Sequence, residues 1–271
     1  MPQHSPAPTI DLSVVIPAHN EATRILPHLH SITKYLSSRR RSYEIIVVDD
    51  GSLDETATIV REFARLLPSV RLIRLPTCVG KGGAVRHGML AATGRLQLFT
   101  DADGATDITE LDRLEQAIQA GADVAIGSRS LASRHRDFTV NARWHRTILG
   151  GCFNAIVRMG GIRGIRDTQC GFKLFERAVA YDLFSVSTIN GYGFDLELLY
   201  VAQLRGYRVT EIPVNWSDQP GSKVRVLRDG LAMLRELAII RRNSAKGHYA
   251  SPLHVRSVHP ATVSQLGHPP Q

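Results

Sequence analysis

The feature that most constrains the fold is an alternation of short runs rich in β-branched apolar residues with longer segments of helical period. Such alternation is typical of βα units arranged around a largely parallel sheet. The apolar runs predict strands at residues 12–16, 44–48, 70–75, 95–100 and 123–126. The segments between them predict helices at residues 21–36, 54–67, 82–92 and 108–120. We therefore expect an α/β protein with a mostly parallel, Rossmann-like central sheet flanked by helices.

The pattern is looser after residue 128. We expect further helices at residues 144–159, 194–205 and 225–241, one more strand at 209–216, and glycine-rich turns at 150–151, 160–164 and 191–193. From residue 244 onward Ser, His, Pro and Gly occur without periodicity, which is typical of disordered chain. The predicted organisation is a flexible N-terminus over 1–10, one domain over 11–243 and a disordered tail over 244–271.

Composition narrows the partners and the compartment. Lys and Arg total 33 against 25 Asp and Glu, a net charge of +8, which suggests an anionic partner such as nucleic acid, a phosphate-bearing substrate or an acidic membrane face. The three cysteines, Cys78, Cys152 and Cys170, lack metal-ligand spacing and are odd in number. They argue against a disulfide framework and a structural zinc site, so a reducing compartment fits best.

No segment has the length of a membrane-spanning helix. The longest apolar candidate, residues 148–157, is too short and contains Asn154. The first ten residues lack the basic and apolar regions of a signal peptide. We expect a cytoplasmic protein, with any attachment to the cytoplasmic face of a membrane being peripheral.

Acidic side chains follow three of the predicted strands. The polar segments are residues 17–21, 49–52 and 101–104, and they place five carboxylates on one rim of the sheet: Glu21, Asp49, Asp50, Asp101 and Asp103. Ligands of open α/β sheets bind beyond the carboxyl ends of the strands. A single acid there is as often a helix cap as a ligand. Three converging segments favour a binding site.

Asp101 and Asp103 are the strongest candidates for a metal site. Crowded carboxylates have raised pKa values unless a cation lies among them, so this pair implies a metal or a basic partner. Carboxylates two residues apart can both turn toward one ion where a strand ends. Mg²⁺ or Mn²⁺ is favoured, because such ions take one or two carboxylates together with phosphate oxygens and water.

Two basic features are ambiguous when taken alone. Residues 80–83, with sequence GKGG, are favoured as a tight turn but could also hold an anion through backbone N–H groups and Lys81. Residues 129–177 carry ten basic residues against three acids, which favours an anion site. The basic residues are Arg129, Arg134, Arg136, Arg143, Arg146, Arg158, Arg163, Arg166, Lys173 and Arg177. Apolar residues at helical spacing in 144–159 and 225–241 fit either a core or a membrane surface.

Together these motifs resemble a known family. Residues 13–21 (SVVIPAHNE), 47–52 (VVDDGS), 80–82 (GKG) and 101–104 (DADG) are similar to the family 2 glycosyltransferases of GT-A fold. Residues 127–129 (GSR), 166–175 (RDTQCGFKLF) and 211–216 (EIPVNW) resemble the dolichyl-phosphate β-glucosyltransferases and related polyprenyl-phosphate glycosyltransferases of that family. The resemblance covers about residues 11–240.

The resemblance implies an inverting transfer from a nucleotide sugar, most simply UDP-glucose, and it implies residue roles. The donor would bind at Pro17, Ala18, Glu21, Asp50, Lys81, Asp101, Asp103 and Gln169, with the metal on Asp101 and Asp103. The acceptor phosphate would bind at Arg129, Ser222 and Lys223. The implied catalytic residues are Asp167, Asp103 and Arg129.

A polyprenyl or dolichyl phosphate acceptor agrees with the arginine excess. A phosphate monoester is already a charged nucleophile at pH 7, so it needs cations more than a general base. Transfer to a soluble hydroxyl acceptor, for which Asp167 or Asp195 could be the base, and use of GDP-mannose both remain alternatives. A nucleic-acid-binding protein is favoured by the charge only, because no nucleic-acid-binding module accompanies the arginines. Membrane contact would come from amphipathic surfaces at 144–159 or 225–241.

Overall fold

The six predicted strands form one seven-stranded sheet together with a strand that was not predicted, at Phe172–Glu176. The computed structural model describes residues 10–141, 161–219 and 226–250, with backbone only for 226–229. The strands are β1 Leu12–Ala18, β2 Tyr43–Asp49, β3 Val70–Arg74, β4 Leu96–Thr100, β5 Val124–Ser128, β7 Phe172–Glu176 and β8 Val209–Pro213. Their order is β3-β2-β1-β4-β7-β5-β8, and β7 alone runs antiparallel to its neighbours. A short parallel pair, β6 Val140–Asn141 and β9 Trp216–Ser217, lies apart. The expectation of a mostly parallel sheet is confirmed.

Among the described residues, six helices follow predicted segments, and two were not predicted. They are α1 Ile25–Ser38, α2 Thr56–Leu66, α3 Lys81–Ala91, α4 Leu111–Gln119, α5 Arg129–Ala132, α6 Arg177–Val186, α7 Phe194–Leu204 and α8 Val226–Ala245, with a 3₁₀ turn at Ile108–Glu110 before α4. Helices α5 and α6 are the two that were not predicted. The main shift is at α1, predicted to begin at residue 21. Ala22 N–H instead donates to Asp54 Oδ2 at 3.1 Å, so these residues join the loops after β1 and β2 before the helix starts.

Residues 172–186 form a strand and a helix that the hydrophobic pattern did not predict. β7 carries Lys173 among apolar residues, and α6 follows it directly, so neither an uninterrupted apolar run nor a turn signal marks the boundary. Lys173 is nevertheless fully buried. A buried strand that contains a charged residue is not recognised when strands are predicted from apolar runs.

The core lies on both faces of the sheet. On one face Val15 and Val48 pack with residues of α3, α6 and α7. On the other face Val14 and Val47 pack with residues of α1, α2 and α4. Burial on both faces explains why β1 and β2 are continuous apolar runs rather than alternating ones.

The C-terminal boundary predicted at residue 244 needs correction. Helix α8 continues to Ala245, and Tyr249 is buried, with its hydroxyl donating to Glu197 Oε1 at 2.6 Å. The ordered chain therefore includes at least residues 244–250. The flexible segment predicted at 1–10 is described only at residue 10. The predicted helix at 144–159, the turn at 150–151 and the tail after 250 lie outside the described residues. Within the described ranges, no helix has both the length and the apolar character to cross a bilayer.

Close packing of α3 on the sheet generates a stability prediction. A Cβ at Gly88 would lie 2.3 Å from Val15 Cγ1 and 2.8 Å from Val48 Cγ2, whereas a Cβ at Gly230 in α8 meets no described atom within 4 Å. Gly88→Ala should lower the free energy of unfolding by about 1–3 kcal/mol through overpacking. The control Gly230→Ala should raise it by about 0.5–1 kcal/mol through helix propensity. Urea unfolding followed by circular dichroism measures both, and equal stabilisation would contradict the close approach.

Candidate active site

A cavity of about 330 Å³ opens at the carboxyl ends of β1, β2 and β4. This is the sheet edge at which the acidic segments were expected to meet. The lining residues are Pro17, Ala18, His19, Glu21, Arg24, Asp50, Cys78, Gly80, Lys81, Ala84, Asp101, Ala102, Asp103, Gly191 and Tyr192. Seven of the eight residues predicted for the donor site line it, and Gln169 is the exception.

Asp50 fixes the loop that leads into α3. Its buried carboxylate accepts hydrogen bonds from the backbone N–H groups of Val79 at 2.7 Å and Gly80 at 3.0 Å. The neighbouring Asp49 does not line the cavity: its Oδ1 accepts from Ser52 N–H at 3.3 Å, and its Oδ2 is 3.5 Å from Arg74 Nε. Only one of these two carboxylates therefore belongs to the site.

The GKGG segment forms a tight turn and also presents a cation. Gly80 has φ +102°, and a Cβ there would lie 2.5 Å from the carbonyl oxygen of Asn190, so glycine is required. Lys81, the first residue of α3, places Nζ 2.6 Å from Asp101 Oδ1. Burial alone would lower the pKa of Lys81, but the charges of Asp101 and Asp195 outweigh it and raise that pKa. Lys81 therefore stays an ammonium ion.

Asp101 and Asp103 face the same cavity from the end of β4. Gly171 packs against Asp101 so closely that a Cβ at residue 171 would lie 2.1 Å from Oδ2. Asp103 Oδ1 accepts from Ala105 N–H at 3.0 Å. Burial and the charge of Asp101 raise the pKa of Asp103. A carboxylate in this state is stabilised by an added cation, so the pair fits the hard, oxygen-liganded ion predicted for it.

Arg24 is a cavity residue that the sequence reasoning missed. Its Nε and one terminal nitrogen each donate to Glu21 at 2.7 Å, and its other terminal nitrogen lies 3.9 Å from Asp103 Oδ2. The spacing of three residues from Glu21, just before α1, was the available signal. Tyr192 was also missed, although its glycine-rich turn was predicted.

A second charged cluster lies outside the cavity lining. Arg129 donates to both carboxylate oxygens of the buried Asp167, at 2.8 Å each, and its guanidinium lies 5.4 Å from the centre of the Trp216 ring. Burial alone would lower the pKa of Arg129 and raise the pKa of Asp167. The attraction between the two charges outweighs burial, so the pKa of Arg129 is raised and the pKa of Asp167 is lowered. The charge of Asp101 also raises the pKa of Arg129, so the two clusters are electrostatic neighbours.

Gln169 was expected in the donor site and Lys173 in a basic anion site, and the structure places both elsewhere. The Nε2 of Gln169 is buried and has no hydrogen-bond partner among the described residues. Lys173 Nζ donates to Cys170 O at 2.6 Å and to Asp195 Oδ1, so it belongs to a buried ion pair rather than to an exposed anion site. Ser222 and Lys223, predicted for the acceptor phosphate, lie outside the described residues, as do Arg143, Arg146 and Arg158.

Beneath the Asp103 loop lies a buried histidine. Gly104 has φ +67°, and a Cβ there would lie 3.0 Å from His28 Nδ1. Burial lowers the pKa of His28 to about 4, despite the opposing charges of Asp101 and Asp107. His28 is therefore neutral at pH 7.

Comparison with known proteins agrees with this geometry. Residues 13–184 match the sequence profile of glycosyl transferase family 2. A dolichyl-phosphate beta-glucosyltransferase of Drosophila melanogaster is 39% identical over 252 residues, covering 88% of this chain and 77% of the relative. The enzyme of that name from Saccharomyces cerevisiae is 37% identical, covering 91% and 79%.

Among solved structures, a glucosyl-3-phosphoglycerate synthase from Mycobacterium tuberculosis superimposes with a TM-score of 0.57 at 18% identity, covering 85% of this chain and 78% of that one. That protein was crystallised with Mn²⁺, UDP-glucose and phosphoglyceric acid. At this identity the likeness concerns the fold, and the GT-A fold expected from the sequence is confirmed.

The buried His28 predicts a pH-dependent loss of stability. Its pKa is about 4 in the folded chain against an ordinary value of 6.5, so the unfolded chain binds more protons between these pH values. The free energy of unfolding should fall as pH decreases from 6.5 to 4, by up to roughly 3 kcal/mol from this group. His28→Gln should remove this component. Urea unfolding at pH values from 7.5 to 4 tests this prediction. The control His30→Gln, which changes an exposed histidine of α1, should keep the wild-type pH dependence of stability. Parallel curves for wild type and His28→Gln would contradict the assignment.

Proposed function

Because the chain belongs to glycosyl transferase family 2, we propose that it transfers glucose from UDP-glucose to a dolichyl or other polyprenyl monophosphate, with Mg²⁺ or Mn²⁺ as cofactor. The observation that carries the acceptor assignment is the pairing of both candidate general bases with cations. Asp167 is held by Arg129, and Asp195 by Lys173. A hydroxyl acceptor needs a base, whereas a phosphate monoester is already anionic at pH 7.

The donor diphosphate fits the charge arrangement of the cavity. Asp101 and Asp103 would hold the divalent ion, which when bound neutralises the diphosphate as it leaves. Lys81 supplies a fixed ammonium beside Asp101. Pro17, Ala18 and Glu21 form the wall for the nucleoside, and Asp50 keeps the loop before α3 in place.

The acceptor is assigned to the Arg129 cluster. One oxygen of its phosphate attacks C1 of the glucose, the bond from C1 to the UDP oxygen breaks, and UDP leaves with that electron pair. Arg129 orients the phosphate, and Asp167 keeps the guanidinium in place through two hydrogen bonds. The Nε2 of Gln169, which has no hydrogen-bond partner in the part of the chain that the structure describes, offers a donor to the reacting sugar. Attack from the face opposite UDP gives inversion.

Peripheral attachment to the cytoplasmic face of a membrane is part of the same proposal. Leu231 and Ile239 of α8 are exposed, and Arg235, Arg241 and Arg242 lie on the same helix. Exposed apolar and basic residues on one helix are typical of interfacial binding. Such contact would bring a lipid acceptor to the enzyme.

A substrate panel tests the reaction. Radiolabelled UDP-glucose and GDP-mannose are each incubated with dolichyl phosphate or with a water-soluble phosphate or hydroxyl acceptor, in Mg²⁺, Mn²⁺ or chelator. We expect lipid-extractable product from UDP-glucose and dolichyl phosphate, lost with chelator and restored by either ion. Glycosylation of water-soluble acceptors only would overturn the lipid assignment, and equal product with chelator would overturn the metal assignment.

Arg129 provides the sharpest test of the acceptor site. Arg129→Met should lower kcat/KM for dolichyl phosphate by about 10–100-fold, since a charge-assisted hydrogen bond is worth about 1.5–3 kcal/mol. Arg129→Lys should retain part of the activity, because the charge remains while the paired geometry is lost. The Kd for UDP should not change. Arg136→Ala, an exposed arginine of the same basic segment, is the matched control.

Unfolding curves show whether Arg129→Met is folded, since it leaves Asp167 buried without its partner. A folded Arg129→Met protein with wild-type kinetics for dolichyl phosphate would remove Arg129 from the acceptor site.

A further inference from the structure

Three potential metal ligands meet in the lining of the cavity. His19, Asp50 and Cys78 each offer one ligand atom, and these atoms lie within 4.8 Å of one another. They come from the ends of β1 and β2 and from the loop before α3, and all three line the cavity. None of them belongs to the predicted metal pair Asp101 and Asp103. The cluster combines imidazole, carboxylate and thiol in one place.

We propose that His19, Asp50 and Cys78 form a second metal site, which binds Zn²⁺ and excludes the nucleotide sugar from the cavity. The binding itself follows from the ligand cluster, whereas the competition with UDP-glucose rests on the proposed function. The site would be inhibitory and distinct from the Mg²⁺ or Mn²⁺ site.

The sulfur and carboxylate oxygen already have nearly the spacing that zinc requires. Cys78 Sγ is 3.3 Å from Asp50 Oδ2. In a tetrahedral site, Zn–S of about 2.3 Å and Zn–O of about 2.1 Å place these two atoms about 3.6 Å apart. The imidazole nitrogen of His19 lies within 4.8 Å of the other two ligand atoms. From that distance it has to move about 1 Å closer to them to complete a tetrahedral site. His19 is partly exposed and Cys78 is exposed, so both side chains can adjust.

The hydrogen bonds around the cluster orient two of its ligands. Asp50 accepts from the N–H groups of Val79 and Gly80, which hold the carboxylate while leaving it further lone pairs. His19 Nδ1 lies 2.7 Å from the carbonyl oxygen of Asp50, an atom that only accepts, so Nδ1 carries the proton and Nε2 has the lone pair. Nε2 now accepts a hydrogen bond from Asn20 Nδ2 at 3.1 Å, and metal binding through Nε2 would replace that hydrogen bond. Partners of this kind commonly orient metal-binding histidines.

Binding would exchange a proton for the ion. The Cys78 thiol now donates to Asp50 Oδ2. Zn²⁺ replaces the proton between sulfur and oxygen, forms the Zn–S bond, and releases the proton to solvent. Oxidation state does not change, and no further reactant is needed.

Ligand chemistry separates the two sites. Thiolate and imidazole suit Zn²⁺, whereas the all-oxygen pair Asp101 and Asp103 suits Mg²⁺ or Mn²⁺. An excess of Mg²⁺ should therefore leave the zinc site largely unaffected. Cys78, Asp50 and Lys81 all line the cavity proposed for the nucleotide sugar, so Zn²⁺ held at Cys78 would compete with the nucleotide sugar for this cavity.

Direct metal binding by the full chain is the primary test. Zn²⁺ is titrated against a chromophoric chelator in excess Mg²⁺, and Co²⁺ is used as a spectroscopic probe. We expect one zinc per chain, and a near-ultraviolet thiolate-to-cobalt band in the wild type. Cys78→Ser and His19→Ala should weaken zinc binding by at least about tenfold, and Cys78→Ser should lack the cobalt band. Cys170→Ala, which changes a buried thiol, and Asp103→Asn, in the other site, should both bind zinc as wild type.

Inhibition kinetics then distinguish failure of this proposal from failure of the proposed function. Zn²⁺ should inhibit competitively with UDP-glucose in the wild type, and much less in Cys78→Ser. Wild-type zinc affinity in both Cys78→Ser and His19→Ala would overturn the site, whatever the activity. If zinc inhibits glucose transfer equally in wild type and Cys78→Ser, the proposed competition is overturned, while the proposed function stands. Zinc bound through Cys78 in a chain that transfers no sugar would overturn the proposed function and leave the site intact.

Discussion

The structure depends on compensating the acidic charges that crowd one edge of the sheet. Five carboxylates there have a close stabilising partner, and the pairs are Glu21 with Arg24, Asp50 with two backbone N–H groups, Asp101 with Lys81, Asp167 with Arg129, and Asp195 with Lys173. Without partners, the buried carboxylates of Asp167 and Asp195 would be protonated or would destabilise the fold. Asp103 is the member with the weakest compensation, because its nearest basic group, Arg24, is 3.9 Å away. The remaining negative charge is thus concentrated where a cation is needed.

The reversed direction of β7 makes this compensation possible. In the antiparallel register Phe172 lies opposite Thr100, so the residues that precede β7 meet the carboxyl end of β4. Gly171 consequently packs on Asp101, and the loop carrying Asp167 and Gln169 reaches the same edge. A parallel strand would place this loop at the opposite edge. One antiparallel strand therefore joins the cavity at the end of β4 to the Arg129 cluster.

The features that could be predicted from the sequence are those fixed by residues close together in the chain. Strands β1 to β5 and the meeting of Glu21, Asp50, Asp101 and Asp103 at one cavity could be predicted, because the apolar runs and the acids that follow them are adjacent in the chain. Lys173 could not be interpreted correctly, since its partner Asp195 is 22 residues away and composition counts it as part of a basic surface. The boundary at residue 244 failed for a similar reason: the contact that orders Tyr249 is with Glu197. Arg24 is intermediate, because its pairing with Glu21 is local while its approach to Asp103 is not.

Helix α8 is buried on one side and exposed on the other, so its apolar pattern alone could not show whether the helix belongs to the core or to the surface. Leu237 and Ile240 are buried, and Glu236 accepts a hydrogen bond from Gly193 N–H at 2.8 Å, beside the cavity residue Tyr192. The opposite side of the helix exposes Leu231. A Cβ at Gly193 would lie 2.5 Å from Glu236 Oε2, so the turn and the helix are in direct contact. Displacing α8 by contact at its exposed side would therefore strain the turn that carries the cavity residues Gly191 and Tyr192.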